Sequence, residues 1–197
     1  MSGKLSIVTG DATNPIGKGD KNIIIPHVVN SIGKWGSGFV LALNNAFGLG
    51  PRQSYLAWHG LGPGNNSSIH AKEMVREQIA KDHNVKIACH EKFEDFGLGS
   101  VQYVAVGDKV LIANMVGQHQ VRGMDPTGRP PIRYGALAKA MNSVADFAIL
   151  RAPKGTEIHA PKFGSDLAGG QWGVIEEMIR EIWVDRGLSV TVYEWVG

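Results

Sequence analysis

The sequence predicts an α/β fold, a central mixed sheet with helices on both faces. Three patterns carry that expectation. Short apolar runs alternate with segments whose apolar residues recur three and four apart. One run, Ile23-Ile24-Ile25-Pro26-His27-Val28-Val29, is apolar without alternation, as a strand covered on both faces is. The 26 glycines gather in clusters between apolar segments instead of spreading as low complexity, which marks loops built for close backbone approach.

In chain order, Leu5 to Val8 followed by Gly10-Asp11 is a short strand and turn. Ile23 to Val29 is the central strand. From Gly38 the period changes: Val40, Leu43 and Phe47 form a helical stripe that ends near Gly48 and Gly50. Pro51 opens a short helix through Trp58, the stretch Gly60 to Ser68 is an excursion, and a weakly amphipathic helix runs from about Ala71 to Asp82. Val101 to Val106 and Val110 to Met115 form a hairpin over Gly107-Asp108. After a polar, irregular loop from Gly117 to Pro131, Leu137, Met141, Val144 and Ala148 mark a second strong helix, with Leu150 near its end. Ile158 to Pro161 is a brief strand before the glycine cluster Gly164 to Gly170. Val174, Met178 and Ile182, with Ile175, Ile179 and Trp183 beside them, predict a helix opposed by Glu176, Glu177, Arg180 and Glu181. Val190 to Trp195 closes as a strand.

A length of 197 residues with 43% hydrophobic composition fits one domain with a substantial core. Twenty basic and 18 acidic residues leave a net charge of +2, too little field to favour extended nucleic-acid binding. Cys89 stands alone, which excludes an intrachain disulfide and a Cys-rich zinc site and suits the reducing cytoplasm. Met1 to Gly10 lacks a signal core, and no apolar run reaches the roughly 18 residues of a membrane span. His83, Cys89 and His90 are too irregularly spaced to predict a metal. No cofactor is expected, and nothing assigns an oligomeric state.

Two loops are candidates for chemistry. The first, Asn30-Ser31-Ile32-Gly33-Lys34-Trp35-Gly36-Ser37-Gly38-Phe39, leaves a buried strand and enters a helix. Unpaired helix N-terminal amides and a close glycine backbone suit a phosphate there, and a plain turn needing positive φ angles is the alternative. Its order, G-x-x-G-x-G, is not the dinucleotide fingerprint, so a nicotinamide oxidoreductase ranks last. The second, Gly164-Ser165-Asp166-Leu167-Ala168-Gly169-Gly170-Gln171-Trp172, also joins strand to helix. Two such loops at strand carboxyl ends flank one crevice, and a small anion gripped by backbone dipoles suits them. Trp35 and Phe163 either wall the ligand or pack in the core. His27 is either a satisfied core histidine or, with Asn30, a group at the crevice: one transfers protons, the other holds a hydroxyl. Asp11 is a turn residue or an acceptor for an exocyclic amine. Gln118-His119-Gln120 donates to a ligand or decorates a loop.

These motifs, taken in order, resemble the macrodomain family, and within it the branch of ADP-ribose 1″-phosphate phosphatases. The resemblance rests on Gly10-Asp11, on His27 to Asn30 with Gly33 to Gly38, and on Ile112 to His119. To these it adds Pro130 to Tyr134, Pro161 to Trp172 and Val190 to Tyr193. It covers most of residues 1 to 197 as a single macrodomain, with about 60 to 92 as an insertion. It implies a three-layer α/β/α fold that binds ADP-ribose. Gly10, Asp11 and Ala12 would meet the adenine end. Ser31, Trp35, Gly36, Ser37, Gly38 and Phe39 would hold the distal ribose, and Gln118 would touch the ligand. Phe163, Gly164, Ser165, Leu167, Ala168, Gly169 and Gly170 would wrap the diphosphate. His27 is the implied catalytic group, with Asn30 beside it; Asp166, which inherits no role from the resemblance, either orients water or is a charged loop residue facing solvent. A related branch that removes ADP-ribose from glutamate uses a lysine in the central loop. No lysine occurs here between Val110 and Ala138. That branch also has an aspartate after the leucine of the second loop, where this chain has Ala168. The expected activity is hydrolysis of ADP-ribose 1″-phosphate. The alternatives are an ADP-ribosyl hydrolase acting on protein or nucleic acid and a non-catalytic ADP-ribose-binding module.

Overall fold

The computed structural model describes residues 3–17, 19–88 and 95–195; Cys89 and His90 lie outside them. Strands β1 (Leu5–Thr9) and β2 (Ile23–Asn30) precede helices α1 (Phe39–Phe47), α2 (Gly50–Gly60) and α3 (Ile69–His83). Strands β3 (Val85–Ala88), β4 (Val101–Val106) and β5 (Val110–Gln118) follow, then α4 (Tyr134–Leu150), β6 (Glu157–Pro161), α5 (Trp172–Ile179) and β7 (Val190–Glu194). The strands form one mixed sheet in the order β1-β7-β6-β2-β5-β4-β3. From β1 to β5 along this order all neighbours run parallel, whereas β4 and β3 are antiparallel additions at one edge. The non-alternating β2 is the central strand, as its sequence requires.

Side chains leave a strand to alternate faces, and each face has its own core. On one, Ala113 and Met115 of β5, Ile158 and Ala160 of β6 and Val190 and Val192 of β7 pack against α4 and α5. On the other, Val29, Val104, Ile112 and Val116 pack against Val40 and Leu43 of α1 and Tyr55 and Trp58 of α2. These are the three layers. Past Ile179 the helix continues as a π turn, Arg180–Val184, closed by Asp185 N–H donating to the Arg180 carbonyl at 2.9 Å. Within it Trp183 is fully buried and donates Nε1–H to the Met141 carbonyl at 2.9 Å, burial worth roughly 2 to 3 kcal/mol. The buried stripe is Ile175, Ile179 and Trp183. Val174, expected on that stripe, is 42% exposed, because it lies a residue too far round the helix. The edge strand β3 is not expected from the sequence: four residues are too short to show a period.

Because the strands from β1 to β5 in this order are parallel, their carboxyl ends lie along one sheet edge. That edge gathers Gly10-Asp11 after β1, the 31–38 loop after β2, the 119–133 loop after β5 and the 162–171 loop after β6. At β2 and β5 the register slips between Val29 and Asn30, so Asn30 pairs with Gln118 and Gly117 is the extra residue. No helix of the described residues is long and apolar enough to cross a membrane.

Candidate functional site

Two adjoining cavities, of about 430 and 760 Å³, open along this edge. They share Gly38, Phe39, Pro161, Lys162 and Asp166, and so form one groove. The first cavity is walled by His27, Asn30, Lys34, Gly36, Ser37, Gln118, Val121 and Arg122, and by Phe163, Gly164, Leu167 and Ala168. The second is walled by Gly10, Asp11, Ala12 and Thr13, by one side of α1, and by Tyr193 and Trp195. Ser31, Trp35, Ser165, Gly169 and Gly170 line neither.

For four of these five the structure shows what else the residue does. Trp35 is 8% exposed, donates Nε1–H to Asn44 Oδ1 at 3.1 Å and lies 5.5 Å from the Tyr55 ring, so it pins the first loop into the core. Ser31 ties the loop to its neighbour: its amide donates to the Gln118 carbonyl at 2.9 Å and its Oγ accepts from the Gln120 amide at 3.3 Å. The Gly170 amide donates to the Gly164 carbonyl and the Gly169 amide to the Asp166 carbonyl, both at 2.9 Å. Those two amides close the second loop on itself. Nothing in the structure explains Ser165.

Asn30 organises the first loop. Its Oδ1 accepts from the amides of Ile32 and Lys34 at 3.1 and 3.0 Å, and its Nδ2 donates to the Lys34 carbonyl at 2.6 Å. From below, the Tyr55 hydroxyl of α2 donates to the Asn30 carbonyl at 2.6 Å. Burial pushes the Tyr55 phenol up, so it stays a donor. Gly33 has φ +69°, and a Cβ there would sit 2.6 Å from His59 Nδ1. Gly38 has φ +75° and faces Leu167 of the second loop across the groove; a Cβ would approach Leu167 Cδ1 to 3.1 Å. No side chain caps the N-terminus of α1 at Gly38, so helix amides open onto the stretch the cavities share.

His27 is 1% exposed and sits edge-on to Trp35 (5.6 Å) and tilted against Phe39 (5.8 Å). Burial drives its pKa down to about 4, against a weaker upward pull from its hydrogen bond with Asn114, so the ring is neutral at neutral pH. Asp166 is exposed and lines both cavities. Asp11 Oδ1 accepts from the Thr13 amide at 2.8 Å. The loop that carries Asp11 is anchored by Tyr193, whose hydroxyl accepts from the Ile16 amide and bonds to buried His159 Nδ1, both at 2.8 Å.

Sequence reasoning missed the cations of this site. Lys34 and Arg122 stand exposed on the first cavity, and no acidic partner pairs with either among the described residues. Lys162 spans both cavities, paired with Glu194 at 2.7 Å and lying 5.1 Å over the Trp172 ring. Its position between β6 and the glycine cluster was the available signal. Arg122 lies in an irregular loop and had none. Among the described residues no three His, Cys, Asp or Glu side chains converge as metal ligands would.

A protein of unknown function from Bacteroides thetaiotaomicron has a similar structure, with a TM-score of 0.75 and 34% identity over 98% of this chain and 99% of that one. A macrodomain protein from Streptomyces coelicolor is 36% identical over 96% of this chain and 98% of its own, with a TM-score of 0.66. The chain belongs to the macrodomain family. No family sequence model matches it. The Oceanobacillus iheyensis macrodomain, solved with ADP, covers 99% of this chain and 85% of its own at 16% identity and a TM-score of 0.57, a likeness of fold alone. Mouse chromodomain-helicase-DNA-binding protein 1-like is 24% identical over 98% of this chain, which spans only 18% of that protein's length. In this macrodomain the groove offers helix amides at its centre, a carboxylate at one end, and at the other a neutral histidine with two cations that have no acidic partner among the described residues. That combination suits a long, anionic ligand with different chemistry at its two ends.

Proposed function

We propose that this macrodomain binds ADP-ribose along the groove and hydrolyses a derivative of it, ADP-ribose 1″-phosphate first of all. The observation that carries the reading is the shared stretch at Gly38 and Phe39, where the uncapped start of α1 meets the second glycine loop between two cavities. A diphosphate held there by backbone amides leaves a nucleoside for one cavity and a second sugar for the other. Asp11, whose Oδ1 holds its own turn, offers its other oxygen to the adenine amine. The distal ribose takes the cavity with His27, and Lys34 and Arg122 supply charge for a phosphate on C1″.

Hydrolysis follows from these positions. Water oriented by Asp166 attacks phosphorus, and the bond from phosphorus to the C1″ oxygen breaks. The water proton passes to His27 and returns to the departing ribose oxygen. A base with a pKa of about 4 is weak, so most of the rate must come from amide and cation stabilisation of the phosphate. Calorimetry with ADP-ribose and phosphate release from ADP-ribose 1″-phosphate test the two halves. The phosphatase half fails if no phosphate is released or if His27→Ala leaves the rate unchanged.

One observation favours a second reading, a module that binds ADP-ribose and turns nothing over. The Asn30 side chain, expected to hold a substrate hydroxyl, has its oxygen taken by Ile32, Lys34 and Tyr55 and one Nδ2 hydrogen by the Lys34 carbonyl, which leaves a single N–H for a ligand. Tight binding without turnover of the phosphate ester or of ADP-ribosylated protein and nucleic acid would establish that reading. Release of label from the latter substrates would establish an ADP-ribosyl hydrolase instead. A cytoplasmic site of action is part of the proposal, on the strength of the lone cysteine.

A further inference from the structure

Beneath the groove, on the α1 and α2 face of the sheet, polar side chains line up across three strands. His27 of β2 stands opposite Asn114 of β5, and Asn114 stands opposite Gln102 of β4. Their exposures are 1%, 0% and 7%. The row is hydrogen-bonded from end to end. His27 Nε2 lies 2.6 Å from Asn114 Oδ1, Asn114 Nδ2 donates to Gln102 Oε1 at 3.0 Å, and Gln102 Nε2 donates to the Ser54 carbonyl of α2 at 2.9 Å.

The direction of this row is not arbitrary. A side-chain amide taken alone can be turned either way, but a backbone carbonyl can only accept. Gln102 must therefore present its NH₂ to Ser54 and its oxygen to Asn114. Asn114 must then present its NH₂ to Gln102 and its oxygen to His27, which must carry its proton on Nε2. The other nitrogen, Nδ1, is left as a bare lone pair. It is buried and has no hydrogen-bond partner among the described residues, and His27 is one of the residues that line the groove. A buried acceptor without a partner is costly until a donor reaches it.

We propose that Asn114 and Gln102 are positioning residues that lock His27 as the Nε2–H tautomer, making Nδ1 an acceptor-only contact for a hydroxyl of the ligand's sugar. With the phosphate ester bound, the same lone pair is the one that takes the attacking water's proton. The ligand half rests on the ADP-ribose reading above; the tautomer lock does not.

Long-range ¹⁵N–¹H correlation of the histidine rings decides the lock in the ligand-free protein. The expected spectrum has one His27 tautomer at neutral pH, protonated at Nε2. Saturating ADP-ribose should shift the Nδ1 resonance toward that of a hydrogen-bonded acceptor. Gln102→Met keeps the side-chain volume, lines no part of the groove, and removes the group that orients Asn114. It should give mixed tautomers and about tenfold weaker ADP-ribose binding by calorimetry. A proton on Nδ1, or a tautomer mixture in the wild type, overturns the lock, as does a Gln102→Met protein with unchanged resonances. An Nδ1 resonance unmoved while calorimetry reports ADP-ribose bound overturns the ligand half. Should Gln102→Met fail to fold, the wild-type spectra still decide both. Failure of ADP-ribose to bind at all overturns the proposed function and the ligand half together, with the lock still judged by the ligand-free spectrum.

Discussion

The two loops that meet across the groove are built by different means. The first is shaped from outside: Asn30 ties Ile32 and Lys34, Tyr55 holds Asn30 from α2, Trp35 is sunk in the core and His59 abuts Gly33. The second is closed on its own backbone, by the Gly164 and Asp166 carbonyls accepting from Gly170 and Gly169, and is held from outside at its margins, by Ala168 accepting from Ile132, by the Gln171 amide donating to the Tyr134 hydroxyl and by buried Phe163. A loop scaffolded by side chains can be loosened by substitutions that never touch a ligand. A loop closed on its own backbone yields chiefly to changes in its glycines.

The largest effect on stability is expected at Asn30. Asn30→Ala leaves two amides and a carbonyl without partners and should cost about 4 kcal/mol by denaturant titration. Hydrogen exchange should rise in residues 31–36 and stay unchanged in residues 164–170. Equal loosening of both loops would end the distinction drawn between them.

How much of this was legible beforehand follows from what a one-dimensional pattern can hold. The central strand showed in Ile23 to Val29, the hairpin in Gly107-Asp108, and the two loops in their glycines, because each is a local signal of period or turn chemistry. The scaffold of the first loop is not local. Tyr55 lies in a helix whose sequence shows only a Pro start, and its partner Asn30 is 25 residues away. The row from His27 through Asn114 to Gln102 exists only once the register of three strands is set. Expecting Asn30 in chemistry and Trp35 at the ligand follows naturally from their place in a glycine-rich loop. Their hydrogen bonds and burial give them structural work.

Acid should separate the loops next. In the unfolded chain His27 takes its proton near pH 6.5, whereas in the folded protein it does so only near 4. Its contribution is therefore complete above about pH 6.5 and is lost as pH falls to about 4, on the order of 3 kcal/mol in all. His159, also held below its ordinary value by burial, works in the same direction. Comparing the stability of wild type and His27→Gln between pH 7 and 4 isolates the first share, and an unchanged pH dependence would refute it. Protection in residues 31–36, directly above His27, should fall before that in the second loop.

Gly170→Ala is the reciprocal test. A Cβ at Gly170 would lie 2.5 Å from the Gly164 carbonyl oxygen, a backbone atom that cannot swing aside. The cost should be about 2 kcal/mol, with exchange rising in residues 164–170 and the first loop left as it was. ADP-ribose affinity should drop as well if, as proposed, this loop wraps the diphosphate, because the loop must open. Retained stability and affinity would mean that the second loop has slack its hydrogen bonds do not suggest.

The smallest effect on stability is expected at Gly36, and its smallness is informative. Unlike Gly33, Gly38 and Gly164 this glycine has no left-handed φ, and unlike those three and Gly170 it has no neighbour within 4 Å of where a Cβ would stand. Neither conformation nor packing calls for it, yet it lines the cavity assigned to the distal ribose. The proposed ligand, passing close over the backbone, would account for it. Gly36→Val should therefore shift unfolding by no more than about 0.5 kcal/mol, the range of an unconstrained surface site. It should weaken ADP-ribose by at least about tenfold, since the isopropyl group would stand in the space the proposed pose gives the sugar. Stability and affinity are measured separately, by denaturant and by calorimetry. If both stay at the wild-type level, the ligand does not pass over the first loop, and the groove must be occupied chiefly from the second.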